Sequence, residues 1–284
     1  MEPERTGAIW LASYPKSGNT WLRCLLEAYR RNGLLDPNDI RFGVSDAGST
    51  VMQGVSPMSH VNLGWSGEML LRPAALLNLF CRLNKPMFIK THFANIQPDG
   101  GLPHCIPAQY TDRAVYVVRD PRSVLLSAMR FFRFPLDQMA DAMANKEFRI
   151  GGTEMFATTF VSSWSNHVAS WTSEQAFPVH IVRYEDLIKD AGKELTEVLE
   201  FLDDDVDQDR VRRAVDASDL ANLRKREEDE GFRENPSKGQ FFGEGGSRWK
   251  EELGPKWSER IESDHGDIMR VLGYLDHAKI KAVS

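Results

Sequence analysis

Short apolar runs alternate with amphipathic stretches along most of the chain. Residues 8–12 (Ala-Ile-Trp-Leu-Ala) are apolar throughout and predict a buried strand. A polar, glycine-containing turn at 13–19 follows. Residues 20–29 then place apolar side chains at helical spacing, with Gly33 as a stop signal. Residues 87–90 and 114–119 predict two more strands, the second a continuous apolar run of the kind found inside parallel sheets. Asp120-Pro121 breaks that run, and Val124, Leu125, Ala128 and Met129 mark a helix over 122–132. Further on, the pattern predicts a helix near 156–171, a strand at 179–184 and a helix at 195–202. A charged helical tail on a solvated face follows over 203–233, then a glycine-rich loop at 239–247. Two stretches carry little periodicity. Residues 32–86 are rich in Gly, Ser, Asp and Pro and contain one predicted helix, over 73–83, with Pro73 suited to its first turn. Residues 133–155 read as an irregular insert. Connections this long inside a compact domain are functional or poorly ordered. Strands alternating with helices, with no evident linker, predict an α/β fold: a single domain over 1–284 with a central parallel sheet flanked by helices.

Composition narrows the function. The 284 residues are 42% hydrophobic and 27% charged, which excludes a disordered, collagen-like or disulfide-scaffold chain. A net charge of -6 argues against a generic nucleic-acid binder but leaves room for a local basic site for a small anion. Cys24, Cys81 and Cys105 have neither metal spacing nor the number of a disulfide framework. Cys24 falls in an apolar helical pattern and is expected in the core, and the usage fits a reducing compartment. No run of 18 apolar residues is present, so no spanning helix is expected. The opening MEPERTG is charged and no apolar region follows it, so the expectation is no signal peptide and a cytosolic location.

Two segments could carry chemistry. Residues 14–21 (Tyr-Pro-Lys-Ser-Gly-Asn-Thr-Trp) lie between a predicted strand and a predicted helix, where backbone N–H groups hold anions. Gly18 permits close backbone approach, Lys16 supplies a point charge, Asn19 and Thr20 can donate, and Trp21 offers a flat face for a base. The same residues would also serve a capped helix after a tight turn. The Walker spacing G-x-x-x-x-G-K-[ST] is absent, so ordinary nucleoside-triphosphate chemistry is not supported. Arg119 ends a predicted strand, where open α/β sheets place their ligands, and can grip phosphate bidentately. Ser127, eight residues on, either donates to the same phosphate or packs on its helix.

These residues carry a resemblance. Residues 14–21 match a Y-P-K-[SA]-G-[TN]-T-W loop at all eight positions. Arg119, Asp120, Pro121 and Ser127 match R-[DN]-P-x-x-x-x-x-S. On these motifs the chain resembles the sulfotransferases that use 3′-phosphoadenosine 5′-phosphosulfate (PAPS), over roughly residues 9–253. The resemblance implies a nucleotide-kinase-like, P-loop-like fold in which Lys16, Ser17, Gly18, Asn19, Thr20 and Trp21 hold the 5′-phosphosulfate and Arg119 and Ser127 the 3′-phosphate. Lys90-Thr91-His92 is similar to the family's K-T-H strand end, which makes His92 the catalytic base and Lys16 and Lys90 its cationic partners, with His60 as the competing histidine. Tyr184, in Arg-Tyr-Glu-Asp-Leu, resembles the tyrosine near the adenine, and Ser218 is a weaker match to a residue beside it. The family's C-terminal R-K-G-x-x-G-x-W-K is altered: residues 243–250 keep Trp249-Lys250 and the glycines but lack the Arg-Lys pair. Gly245, Gly246 and Arg248 are the candidate substitutes.

The resemblance also implies a reaction. PAPS is the co-substrate, 3′-phosphoadenosine 5′-phosphate (PAP) the product, and no metal is needed. The acceptor is a hydroxyl or amine of a small molecule, with a natural product as one option. No nucleic acid or membrane partner is implied, and a homodimer is left open. The inserts 32–86 and 133–155 are expected to cap the acceptor. Their Phe42, Met52, Met58, Trp65 and Met69, with Phe134, Met139, Met143 and Phe148, suit an apolar pocket, but core packing explains most of them equally well. The competing classes are a kinase-like phosphotransferase, which would need the Walker spacing, and a nucleotide-binding module without activity.

Overall fold

The structure is a computed structural model that describes residues 7–80, 87–235, 239–243 and 248–276. The chain opens with β1 (Ala8–Ser13), α1 (Asn19–Arg30), β2 (Val44–Ser45), α2 (Ser49–Gln53) and α3 (His60–Phe80). It continues through β3 (Met87–Thr91), β4 (Thr111–Val118), α4 (Pro121–Phe132), α5 (Leu136–Ala144), β5 (Arg149–Ile150), β6 (Thr159–Phe160) and α6 (Trp164–Thr172). Then come β7 (Val179–Arg183), α7 (Tyr184–Lys189), α8 (Ala191–Phe201), α9 (Gln208–Ala217), α10 (Leu220–Glu230), α11 (Trp249–Glu252) and α12 (Pro255–Val271). Five strands form one parallel sheet in the order β2-β3-β1-β4-β7.

Alternation along β1 and β4 explains their unbroken apolar runs. Ala8, Trp10, Ala12, Ala114, Tyr116 and Val118 join one core with residues of α3, α4, α5, α6 and α12. Ile9, Leu11, Val115 and Val117 face the other core, shared with α1, α8 and α9. A strand covered on both faces needs apolar side chains at every position. From β1 the chain passes to β3 on one side and then to β4 on the other, so strand order reverses about β1. The carboxyl ends lie level there, with Ala12 opposite Thr91 and Ser13 opposite Val117. That reversal is where open α/β sheets form their ligand crevice.

Three expectations need correction. The helix expected from 73 starts well before it: the span His60–Phe80 is two helical segments joined at Gly64, whose backbone is not helical (φ 63°, ψ 175°), and Pro73 lies inside the second; residues 81–83 lie outside the described residues. Gly67 and Pro73 are poor helix formers, and packing of Met69 and Leu76 into the core overrides them, whereas Gly64 breaks the helix. The insert 133–155 contains α5, whose Met139, Ala140 and Met143 are buried at helical spacing. The helix expected from 156 starts only at Trp164, capped by Ser163, while Thr159–Phe160 pairs antiparallel with Arg149–Ile150. The two inserts also meet. Ala157 N donates to Ala47 O at 2.8 Å, Ser49 N to Met155 O at 3.0 Å, and Gly48 bridges Phe156. Of the charged tail expected to be helical over 203–233, α9 and α10 are helical with exposed outer faces, while 203–207 and 231–233 are not helical and Val211, Ala214 and Leu223 turn into the core.

Candidate active site

The turn between β1 and α1 has a geometry that could cradle an anion. Lys16 adopts a left-handed backbone with φ 68°. Gly18, at φ 108°, occupies the N-cap of α1, and no side chain caps the first turn, so its leading N–H groups lack the partner a cap would supply. Glycine is required at 18: a Cβ there would stand 2.4 Å from Tyr184 Cδ2. The Lys16 ammonium lies over the rings of Phe241 and Phe131, 3.6 and 4.2 Å from their centroids. Burial, then the cations of Arg119 and Lys90, pulls its pKa down to about 7. The Asn19 amide turns inward and donates to Leu11 O at 2.8 Å, which fixes the turn to β1. Trp21 donates through Nε1 to Ser218 O at 2.8 Å and meets the Tyr184 ring edge-on.

The end of β3 brings the second set of groups to this turn. His92 Nδ1 donates to Ser13 O at 2.8 Å. A carbonyl can only accept, so the proton sits on Nδ1. Burial, reinforced by the Lys90 charge, pulls the imidazole pKa down to about 3 and keeps it neutral. Its Nε2 therefore carries the lone pair, the tautomer a general base needs, while the lowered pKa makes it a weak base in the free protein. Behind it, His167 Nε2 donates to His92 O at 3.2 Å, and the Tyr116 hydroxyl meets His167 Nδ1 at 2.9 Å. Lys90 ion-pairs with Glu234 at 3.0 Å. The intervening Thr91 donates to the buried Asp46, which is also paired with Arg72 at 2.6 Å.

Arg119 leaves the end of β4 toward the same turn: Nη1 donates to Lys16 O at 3.3 Å, and the guanidinium lies 4.2 Å from the Tyr184 ring centroid. Arg119 Nε, Ser17 Oγ and Ser218 Oγ are buried without a partner, and buried polar groups normally have one. Ser127 is half-buried on α4. Arg248 pairs with Glu252 at 2.9 Å, and Gly245 and Gly246 lie outside the described residues. His60, the competing histidine, is buried with Nε2 2.7 Å from Thr153 O and ties the two inserts together. Among the described residues, no group of three or more His, Cys, Asp or Glu side chains could hold a metal, and no helix is long and apolar enough to cross a membrane.

With this geometry in place, the relatives are informative. A sequence model described as a sulfotransferase domain matches residues 6–273. The chain belongs to the sulfotransferase-domain family. It is similar to Sulfotransferase 1B1 of Canis lupus familiaris, 25% identical over 218 residues, covering 74% of this chain and 64% of that protein. It is also similar to the luciferin sulfotransferase of Photinus pyralis, 26% identical over 214 residues, covering 73% of this chain and 54% of that one. The match thus spans less than two thirds of these relatives' own length. In fold it is similar to the mouse sulfotransferase SULT7A1 crystallised with PAP, at TM-score 0.59 and 19% identity, covering 94% and 86% of the two chains. A retinol dehydratase crystallised with androsterone and inactive cofactor PAP superposes at TM-score 0.61 and 15% identity, covering 94% and 82%.

Within this sulfotransferase-family frame, the sequence reading missed Arg23, Phe131, Glu234 and Phe241. Arg23 had a signal, a charge within the apolar stripe of α1, and the structure buries it. The other three arrive from distant chain positions. Of the expected pocket residues, Met69, Met139 and Met143 are core, and Phe42 and Met52 are buried in the two remaining clusters. Trp65 and Phe148 pack against the core, while Met58 and Phe134 are exposed.

Proposed function

We propose that the chain, acting as one domain over 1–284 in a cytosolic setting, transfers a sulfuryl group from PAPS to a hydroxyl or amine of a small-molecule acceptor and releases PAP. The supporting observation is the convergence of the two motifs. Arg119 bonds the carbonyl of Lys16 itself, and its Nε, like the Ser17 and Ser218 hydroxyls, is buried without a partner. Those orphaned groups fit an anionic nucleotide. PAPS supplies an activated sulfuryl group on a good leaving group. In the proposed step, His92 Nε2 takes the acceptor proton as the acceptor oxygen or nitrogen bonds to sulfur. The bond from sulfur to the phosphate oxygen breaks in line, and Lys16 stabilises the charge that collects on that oxygen. Lys90 holds the sulfuryl oxygens, the first-turn N–H groups of α1 hold the phosphate, and Tyr184 and Trp21 present rings to the base. The joined inserts, rather than either alone, would cap the acceptor. Calorimetric titration with PAP and with ATP, without added metal, tests the donor. Selective binding of PAP supports the reading, and no binding or a preference for ATP with magnesium overturns it.

A further inference from the structure

Glu234 stands inside the cradle with nothing in the sequence to announce it. Its Oε1 accepts from Arg23 Nη1 at 2.7 Å, and its Oε2 accepts from Lys90 Nζ at 3.0 Å and from Thr20 Oγ1 at 3.3 Å. Thr20 starts α1 and Lys90 ends β3, so the carboxylate spans the gap between the two elements that would grip the donor's phosphosulfate. The contact is held in place by the backbone. Asn235 N closes a turn on Phe232 O at 3.0 Å, Phe232 is buried, and Asn38 Oδ1 accepts from Arg233 N at 2.8 Å. Arg23 also has independent support, with Nε on Phe42 O at 2.8 Å and Nη2 on Gly43 O at 3.4 Å. It would therefore keep its place, with Nη1 free to bond another anion, if the carboxylate left.

We propose that Glu234 is a built-in competitor for the donor: its carboxylate occupies Lys90 and Thr20, which the donor reading assigns to the phosphosulfate, together with the neighbouring Arg23, and it must swing out before the donor binds. The inference rests on the donor reading above. Burial pushes the Glu234 carboxyl up, but Lys90 and Arg23 override this and hold it at about 2. It is ionised throughout the working pH range, so protonation cannot remove it; only displacement can. Two anions cannot share one ammonium at hydrogen-bond distance without a repulsion that costs affinity.

The test is calorimetry on the full chain and its Glu234→Gln variant with two probes, PAP and inorganic pyrophosphate. The expected result is PAP bound at least about fivefold more tightly by the variant, about 1 kcal/mol, and pyrophosphate more tightly as well. PAP bound by both proteins with equal or weaker affinity in the variant overturns the competitor role and leaves the donor reading standing. PAP bound by neither, with pyrophosphate tighter in the variant, overturns the donor reading and keeps the competitor role for a small polyanion. No tightening for either probe overturns the proposal. Should the glutamine variant not fold, Glu234→Asp decides. Its shorter carboxylate retreats from Lys90, so PAP binding tighter than wild type is expected, and equal or weaker binding is refuting.

Discussion

In the proposed donor site, Lys16 would link donor binding to pH, and the structure sets the size of that link. Its ammonium is wedged between Phe241 and Phe131 and is repelled by Arg119 and Lys90, so its pKa falls to about 7 rather than the usual value above 10. A bound polyanion favours the charged form. Above pH 7 the free protein must therefore take up a proton to bind PAP tightly. For one linked proton, the dissociation constant should rise about fivefold from pH 7 to 8 and approach fiftyfold by pH 9. The ligand's own phosphates titrate near pH 6 and contribute nothing to this window. Calorimetry at constant ionic strength across pH 7–9 reads the effect. Lys16→Met should bind weakly and nearly independently of pH. A flat wild-type profile refutes the argument, and so does a Lys16→Met profile as steep as wild type, which would assign the proton to another group. The stability of the free protein should move in the opposite sense. The folded state resists protonation of Lys16 and the unfolded chain does not, so between about pH 7 and 10 the unfolded state binds more protons at this site and this group's contribution to stability rises with pH.

Three further outcomes follow from the same geometry. His92→Ala should slow turnover by roughly 10²–10⁴-fold while the calorimetric PAP affinity stays within about threefold; full activity would remove His92 from the role of base. Asp46→Ala strands the Arg72 guanidinium, whose side chain is only 6% exposed, and should cost about 3–5 kcal/mol in urea unfolding, with a loss below about 1 kcal/mol refuting the pair's importance. Gly18→Ala forces a Cβ onto Tyr184 at a left-handed φ and should lower stability by about 1–3 kcal/mol and weaken PAP binding together; an unchanged melting temperature would refute it.

Much of this site was legible because its main parts are local. The turn from Tyr14 to Trp21 and the strand ends at Lys90–His92 and Arg119 lie at strand boundaries that an apolar run and a break reveal. Parallel pairing of β1 with β3 and β4 then brings those boundaries level. What stayed hidden depends on contacts across the chain. The second segment of α3 forms despite Gly67 and Pro73 because the core needs Met69 and Leu76, and no local window contains that need. Arg149–Ile150 and Thr159–Phe160 are strands only because they find each other.

The chemistry was harder to read than the fold for the same reason. The motif places Lys16 in the turn, but its lowered pKa comes from Phe131 on α4, Phe241 beyond the charged tail, and Arg119 and Lys90 on two neighbouring strands. Lys90 is likewise a cation by sequence, yet in the fold it is paired with Glu234, just past the end of the charged tail. On the proposed reading, the motif residues are the groups that would meet the donor, and residues without a motif set how charged those groups are. Substitutions at Phe131, Phe241 and Glu234 should therefore tune donor affinity and its pH dependence while leaving the fold and the His92–Ser13 hydrogen bond in place.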